Sequence, residues 1–153
     1  MNINASYLRK ADFSDIDILF EWVNDVETRE NSFDSHIITY EEHLEWFEKM
    51  MSDQNQVQYI MMNGDTPVGQ VKLSLSGVEA EISYSISKKL RGCGYGKEIL
   101  CLVMEKVRND YPSITKLIGK VKPSNGASFH CFTKNGFEEK YQLLEYYMKE
   151  YYE

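Results

Sequence analysis

The chain has 153 residues, of which 42% are hydrophobic and 27% charged, which suits one well-buried core better than two ordinary domains. Twenty-four acidic residues against 17 basic ones give a formal net charge of −7. Nucleic acids and anionic membranes need clustered lysine and arginine, so we expect neither as a partner, and we expect a single domain over residues 1–153.

The first third of the chain predicts one strand and two helices. Residues 7–9 are a short strand candidate. Ser14 has the position of an N-cap before a helix over about residues 14–23, whose apolar side chains share one face. Thr39 precedes acidic residues and a second amphipathic pattern, which predicts another capped helix. The intervening residues 24–38 are predicted to be irregular.

The middle of the chain predicts an antiparallel meander. Residues 57–62, 68–75 and 80–86 alternate or run apolar, with turn signals at residues 63–65 and at Ser76-Gly77. A helix over residues 97–107 follows, with a glycine-rich entry.

The last third continues the alternation of strands and helices. Residues 117–121 predict a strand, and residues 125–134 predict a helix stopped by Asn135-Gly136. Tyrosine-rich residues 137–151 predict one or two terminal strands. The predicted order is β-α-α-β-β-β-α-β-α-β-β, a mixed α/β protein.

Cysteine, histidine and hydropathy patterns give no sign of a disulfide, a metal or a membrane. The three cysteines are an odd count without paired spacing, which fits a reducing cytoplasm. His36 and His43 are seven residues apart rather than the four of a helical metal pair, so we predict no metal site. No stretch approaches the ~20 apolar residues of a membrane span, and no basic leader opens the chain.

The stretch Arg91-Gly92-Cys93-Gly94-Tyr95-Gly96-Lys97 lies between a predicted strand and a predicted helix. Glycine lets a backbone approach an anion closely, consecutive N–H groups form a concave nest, and a helix N-terminus adds partial positive charge. Arg91 and Lys97 carry full charges. The spacing matches neither the dinucleotide-binding motif GxGxxG nor the Walker A motif, so these two classes of nucleotide-binding protein are set aside.

The same stretch matches the pattern [Q/R]-x-x-G-x-[G/A], and the chain resembles the GNAT acetyltransferase superfamily. Residues 7–12, 80–86 and 123–137 resemble, in order, the first strand, the strand before the loop and the Asn…Gly-Phe segment of that family. The resemblance implies a central, mostly antiparallel sheet with splayed middle strands and about four flanking helices. It also implies acetyl-CoA as cosubstrate and an N-acetyltransferase activity on a small-molecule amine.

The resemblance implies a cofactor site around the loop and the strand before it. The pyrophosphate would lie on backbone N–H groups of the loop, and a backbone N–H of Tyr84 or Ser85 would polarise the thioester carbonyl, a role worth about 3 kcal/mol. Asn125 would contact the pantetheine arm or cap its helix; both remain open. The implied cofactor residues are Tyr84, Ile86, Arg91, Gly92, Cys93, Gly94, Tyr95, Gly96, Lys97, Asn125, Ser128 and Phe132.

Two catalytic residues are implied, Glu81 and Ser85. An aliphatic amine with a pKa of about 10 must lose a proton before it attacks, and Glu81 has the position of a general base acting through water. The alternative for Glu81 is a solvated strand residue beside Glu79. Many relatives protonate the departing thiolate with a tyrosine where this chain has Phe132, so we assign no acid and leave Tyr141, Tyr84, His130 and unaided departure open.

The segment around residues 22–47 resembles the branch that acetylates nucleotide-linked amino sugars in pseudaminic-acid biosynthesis. The implied acceptor residues are Arg29, Asn31, Ser32, Phe33 and His36, which combine stacking and polar groups. Two alternatives remain for the function: acetylation of protein N-termini and a catalytically silent CoA-binding module. The alternative for residues 24–38 is an ordinary surface loop. The tyrosine-rich end could offer an exposed strand that pairs with a second copy of the chain.

Overall fold

The computed structural model describes residues 6–148, which form a mixed α/β fold. The strands are β1 Ser6–Lys10, β2 Gln56–Asn63, β3 Thr66–Ser76, β4 Glu79–Ile86 and β5 Lys116–Gly119. The α-helices are α1 Ile16–Val23, α2 Val26–Asn31, α3 Tyr40–Ser52, α4 Tyr95–Asp110 and α5 Gly126–Lys134. Two 3₁₀ turns lie at Phe13–Asp15 and Lys88–Leu90.

The five strands form one sheet in the order β1-β2-β3-β4-β5. The first three pairings are antiparallel, whereas β4 and β5 pair in parallel, from Glu79 opposite Lys116 to Ile82 opposite Gly119. Beyond Ile82, β4 continues to Ile86 without β5 beside it. The mixed α/β fold with a mostly antiparallel sheet is therefore confirmed, with five α-helices where about four were expected. In the described part of the chain the strands that part are β4 and the edge strand β5 rather than two middle strands.

Two hydrophobic clusters cover opposite faces of the sheet. Side chains alternate across a strand, so Tyr59 and Met61 of β2 pack with the α4 cluster while Ile60 and Met62 pack under α1 and α3. The buried residues of α4 recur at the helical period, as the predicted amphipathic pattern requires. They are Tyr95, Ile99, Leu100, Val103 and Val107. On the α1 and α3 side the apolar cover ends at β2, which leaves that face of β3 and β4 to polar residues.

Asp12, rather than Ser14, is the capping residue before the first helix, and it caps the 3₁₀ turn that leads into that helix. The Asp12 carboxylate accepts from the Ser14 N–H at 2.9 Å, and Asp15 accepts from the Asp12 N–H at 2.9 Å. The chain therefore enters a 3₁₀ turn before the α-helix begins at Ile16. Thr39 caps α3 as expected, with Glu42 completing the capping box.

Two other predictions need correction. Residues 24–38 are not wholly irregular, because Asp25 caps the short helix α2. Residues 137–148 form no strand, and residues 149–151 lie outside the described part of the chain. Tyrosine favours strands only where a neighbouring edge and a buried face support it, and Tyr146 is 86% exposed.

An ion pair holds the entry to α1 against the end of β1. The Arg9 guanidinium donates to both carboxylate oxygens of Asp15 at 2.8 Å. Asp15 is 4% exposed. The hydrogen bond from Arg9 lowers the pKa of Asp15, against the opposing effect of burial.

We expect Asp15→Asn to lower the free energy of unfolding at pH 7 by about 2 kcal/mol, the scale of a hydrogen-bonded charge. Because the folded-state pKa of Asp15 is lowered, this stabilisation is present above the unfolded-state pKa and is lost as pH falls through the folded-state value. Urea unfolding at neutral and strongly acidic pH measures both. Asp17→Asn, at an exposed position of α1, is the control and should change little, because an asparagine oxygen can still accept from the Tyr40 hydroxyl. A deficit of Asp15→Asn that persists at acid pH contradicts this account.

Candidate active site

A cavity of about 900 Å³ opens where β4 and β5 part. Its lining comes from β3, β4, the loop before α4, the α2 segment and α5. The volume lies within the usual range for small-molecule and cofactor sites. The predicted cofactor and acceptor residues can therefore be placed relative to one cleft.

The glycine-rich loop enters α4 at one end of this cleft. Gly92 and Gly94 have φ values of 78° and 89°, the left-handed region that glycine adopts without strain, and Gly94 is the N-cap of α4. The first N–H groups of a helix lack intrahelical acceptors, so this turn offers donors to an anion. Gly96 has a different reason, because a Cβ there would lie 2.9 Å from the Cys131 sulfur of α5.

Arg91 does not present a free charge to the cleft. Its guanidinium bonds Asp25 at 2.6 Å and Glu27 at 2.7 Å, and its Nε donates to the Ile86 carbonyl at 3.2 Å. Burial of Asp25 opposes ionisation, but hydrogen bonds from Arg91 and Thr28 outweigh it and lower the Asp25 pKa. Arg91 thus fastens the loop to α2, and a direct contact with phosphate stays a prediction.

The wall of β4 that faces α4 and α5 carries Tyr84. Its hydroxyl donates to Ser128 Oγ at 3.0 Å, and burial raises the pKa of Tyr84. The Asn125 carboxamide accepts from the Ser128 N–H at 3.2 Å, so the structure shows the helix-capping role of Asn125. A contact of Asn125 with pantetheine stays a prediction.

Phe132 lies where the strands part. A Cβ on Gly119 would be 2.4 Å from two carbons of the Phe132 ring, so the ring rests directly on the last residue of β5. The ring centroid of Phe132 lies 5.7 Å from that of Tyr84 and 4.9 Å from that of Phe137. The side chain is 6% exposed, an environment that suits an apolar residue.

The opposite face of β4 presents polar side chains toward α1 and α3. Glu81 is half-exposed and pairs with Lys120 at 3.0 Å. Ser85 accepts a hydrogen bond from Gln70 of β3 at 3.1 Å. Alternation along β4 places these two residues on one side of the cleft and Tyr84 on the other.

Lys72 lines the cavity, although the sequence patterns did not predict it as a site residue. Its ammonium lies 5.7 Å from the centre of the Trp46 ring, burial lowers its pKa, and the charge of Glu81 opposes that shift. Period-two alternation of β3 could have found it. Gln70 and Lys72 occupy positions of the face that is apolar at Ile60 of β2.

The predicted acceptor residues divide into two groups. Arg29 donates to the carbonyls of Val23 at 2.6 Å and Asp34 at 3.0 Å and to Ser32 Oγ at 3.1 Å, so Arg29 and Ser32 brace their own loop at the cavity wall. Phe33 is 68% exposed and lines the cavity with Asn31.

His36 falls outside the cavity lining. It pairs with Asp34 and Glu42, and these contacts raise its pKa. Among the residues left open as a general acid, His130 lines the cavity and Tyr141 is 76% exposed and outside the lining.

Within residues 6–148, no three or more histidine, cysteine or acidic side chains cluster as a metal site would require. None of the helices in this range is both long and apolar enough to cross a membrane.

The family assignment follows from comparison with known sequences. The profile of the acetyltransferase (GNAT) domain matches residues 6–138. The chain therefore belongs to the GNAT acetyltransferase family and is an acetyl-CoA-dependent N-acetyltransferase. It is 24% identical over 123 residues to the uncharacterised N-acetyltransferase YfmK of Bacillus subtilis (strain 168), covering 80% of this chain and 78% of the relative.

Two solved structures show the same fold. Spermidine N-acetyltransferase from Vibrio cholerae, in complex with CoA and spermine, has a TM-score of 0.85 at 17% identity, over 95% of this chain and 88% of the other. The aminoglycoside acetyltransferase AAC(6')-Ib, in complex with coenzyme A, has a TM-score of 0.77 at 23% identity, over 88% of this chain and 85% of the other.

We expect acetyl-CoA to raise the melting temperature of the wild-type protein, because a ligand that binds only the native state contributes about 2.7 kcal/mol at a hundredfold excess over its Kd. Gly94→Val should abolish most of that response by straining the loop. Gly77→Val is the matched control, since Gly77 also has a positive φ, of 60°, but lies in the β3–β4 turn. Thermal shift measures both; an equal loss of response in the two variants contradicts the loop assignment.

Proposed function

We propose that this enzyme acetylates the primary amine of a small molecule that also carries an anionic group, best matched by a nucleotide-linked amino sugar. The charge of the cleft carries the proposal. Six basic side chains line the cavity, in a chain whose net charge is −7. Asp25 and Glu27 neutralise Arg91, which leaves five basic side chains of the lining against Glu81. The basic residues are Arg29, Lys72, Arg91, Lys97, Lys120 and Lys134.

Part of this positive charge suits the phosphates of CoA. Lys97 follows the glycine-rich loop, and Lys134 ends α5, which packs against α4. Lys72 and Lys120 lie instead beside Glu81, on the face of the sheet away from α4. Their two charges against one carboxylate leave that face net positive, which favours an acceptor with a phosphate or carboxylate group.

This charge disfavours the kind of acceptor that the names of two structural neighbours describe. The Vibrio cholerae enzyme binds spermine, and AAC(6')-Ib is an aminoglycoside acetyltransferase; both names describe polycationic acceptors. A polycation would meet the ammonium groups of Lys72 and Lys120 at like charge. Trp46, beside Lys72, and the exposed Phe33 supply aromatic faces on which a nucleobase or sugar could pack.

The reaction is a direct acyl transfer in a ternary complex. The ammonium form of the acceptor first loses a proton through water to Glu81, and the neutral nitrogen then forms a bond to the thioester carbon. The C–S bond breaks, and the second proton that the nitrogen loses goes to solvent. A backbone N–H of β4, at Tyr84 or Ser85, stabilises the oxyanion. The thiolate of CoA leaves with a pKa near 8.5, so it tolerates departure without the tyrosine that Phe132 replaces.

We expect turnover of acetyl-CoA to be highest with UDP-amino sugars and amino-sugar phosphates, lower with amino sugars that lack an anionic group, and lowest with spermidine. Lys72→Met should raise the KM for an anionic acceptor about tenfold, equivalent to 1.4 kcal/mol, while leaving the KM for acceptors without an anionic group unchanged. Lys116→Met is the control, because Lys116 of β5 pairs with Glu79 of β4 and lies outside the cavity lining.

Product mass identifies the acceptor in each reaction. Preference for spermidine would overturn the anionic-acceptor proposal, and acetylation confined to N-terminal peptides would establish protein acetylation instead. Absence of any product with these acceptors despite acetyl-CoA binding would overturn the anionic-acceptor proposal and would favour a silent CoA-binding module.

We expect Glu81→Gln to retain acetyl-CoA affinity and to lower kcat/KM about 100-fold at neutral pH, within the usual range for general-base catalysis. The loss should shrink as pH rises, because more of the amine is then already neutral. Glu79→Gln is the matched control, because Glu79 lies on the same strand and pairs with Lys116 as Glu81 pairs with Lys120. The side chains of Glu79 and Glu81 are 43% and 42% exposed. Equal pH profiles for the two variants contradict the base assignment.

A further inference from the structure

A buried glutamine begins a chain of side-chain hydrogen bonds that ends at the cleft. Gln58 of β2 is 4% exposed, and its Nε2 donates to Gln70 Oε1 at 2.7 Å. Gln70 Nε2 in turn donates to Ser85 Oγ at 3.1 Å. Gln70 and Ser85 lie directly opposite each other on β3 and β4, so this contact is a cross-strand pair. We refer to these three side chains as the glutamine relay.

The direction of the relay is fixed by the backbone. Gln58 Nε2 lies 3.2 Å from the Tyr59 carbonyl oxygen and 3.3 Å from the Val71 carbonyl oxygen. Carbonyl oxygens only accept hydrogen bonds, so the amide nitrogen of Gln58, and not its oxygen, must face them. Gln70 must then turn its oxygen to Gln58 and its NH₂ to Ser85.

The consequence reaches the cleft through Ser85. A hydroxyl has one hydrogen, and Ser85 Oγ already accepts from Gln70, so its own O–H is left to donate elsewhere. Ser85 lines the cavity in the part of β4 beyond Ile82, where β5 no longer lies beside it. Its position along the strand is closely constrained, because a Cβ on Gly69 would lie 2.6 Å from the Ser85 carbonyl oxygen.

We propose that the Ser85 hydroxyl donates a hydrogen bond to the thioester carbonyl oxygen of acetyl-CoA, with Gln70 and Gln58 as the residues that hold it in the donor orientation. The inference rests on the proposed function, in which acetyl-CoA lies in this cleft. The hydroxyl adds a side-chain donor to the backbone N–H as negative charge grows on the oxygen. No proton is transferred by Ser85.

Gln70→Glu tests the direction of the relay without removing its contacts. A carboxylate has nearly the shape of the carboxamide but only accepts, so it keeps the bond from Gln58 and draws the Ser85 hydrogen away from the cleft. A relay that only stabilises the fold would tolerate this change. Gln56→Glu is the matched control: Ser74 Oγ already donates to Gln56 Oε1 at 3.0 Å, so the added charge leaves that direction unchanged.

The direct readout is the infrared carbonyl stretch of acetyl-CoA labelled with ¹³C at the thioester, measured when bound to protein. We expect binding to shift this band to lower wavenumber in the wild type, in Ser85→Thr and in Gln56→Glu. Ser85→Ala and Gln70→Glu should lose most of the shift. Turnover is measured as release of the CoA thiol with hydroxylamine as a small acceptor. Ser85→Ala and Gln70→Glu should each lower kcat about 100-fold, the scale of one oxyanion donor, and a variant that carries both changes should lose no more than either alone.

The outcomes separate the two proposals. Failure of the wild-type protein to bind labelled acetyl-CoA would overturn both. Binding with an unchanged carbonyl band in Ser85→Ala and Gln70→Glu would overturn the donor role of Ser85 alone. Melting temperature and acetyl-CoA Kd are measured for every variant, and a band restored to the wild-type position in Ser85→Thr supports the hydroxyl as the donor.

Discussion

The parting of β4 from β5 is the constraint on which the site depends. Pairing ends at Ile82 and Gly119, and the Phe132 ring lies on the backbone of Gly119, packed between Tyr84 and Phe137. Any larger residue than glycine would collide with that ring. Beyond Ile82, β4 stays paired with β3 but has no strand at its other edge. One face of this segment looks toward α4 and α5 and the other toward α1 and α3, and the cavity opens at the free edge.

The charge of the cavity lining is opposite in sign to the net charge of the whole chain. The whole chain is acidic, yet basic residues dominate the cavity lining. The acidic residues near the loop, Asp25 and Glu27, neutralise Arg91 and secure α2, so they give order to the rim of the cleft without making its lining acidic. Substrate choice in a shared fold can follow from such a local pattern, since neighbours at 17% and 23% identity share the architecture.

Sequence patterns predicted local features well because local chemistry determines them. The glycine-rich loop, the Thr39 cap and the Asn135-Gly136 stop involve residues close in the chain, and each lies where the pattern placed it. Contacts between distant residues were not accessible. Arg91 pairs with carboxylates 64 and 66 residues away, and the roles of Lys72 and Gln70 depend on strand register. The prediction of a strand in the tyrosine-rich end was wrong for residues 137–148, because strand propensity alone does not provide a neighbouring strand to pair with.

The most direct test of the account is a crystal structure of the protein with CoA bound. We expect the pyrophosphate within hydrogen-bonding distance of backbone N–H groups between Cys93 and Lys97, and the pantetheine arm between the parted ends of β4 and β5. CoA bound elsewhere, or a pyrophosphate held by side chains away from the glycine-rich loop, would contradict it.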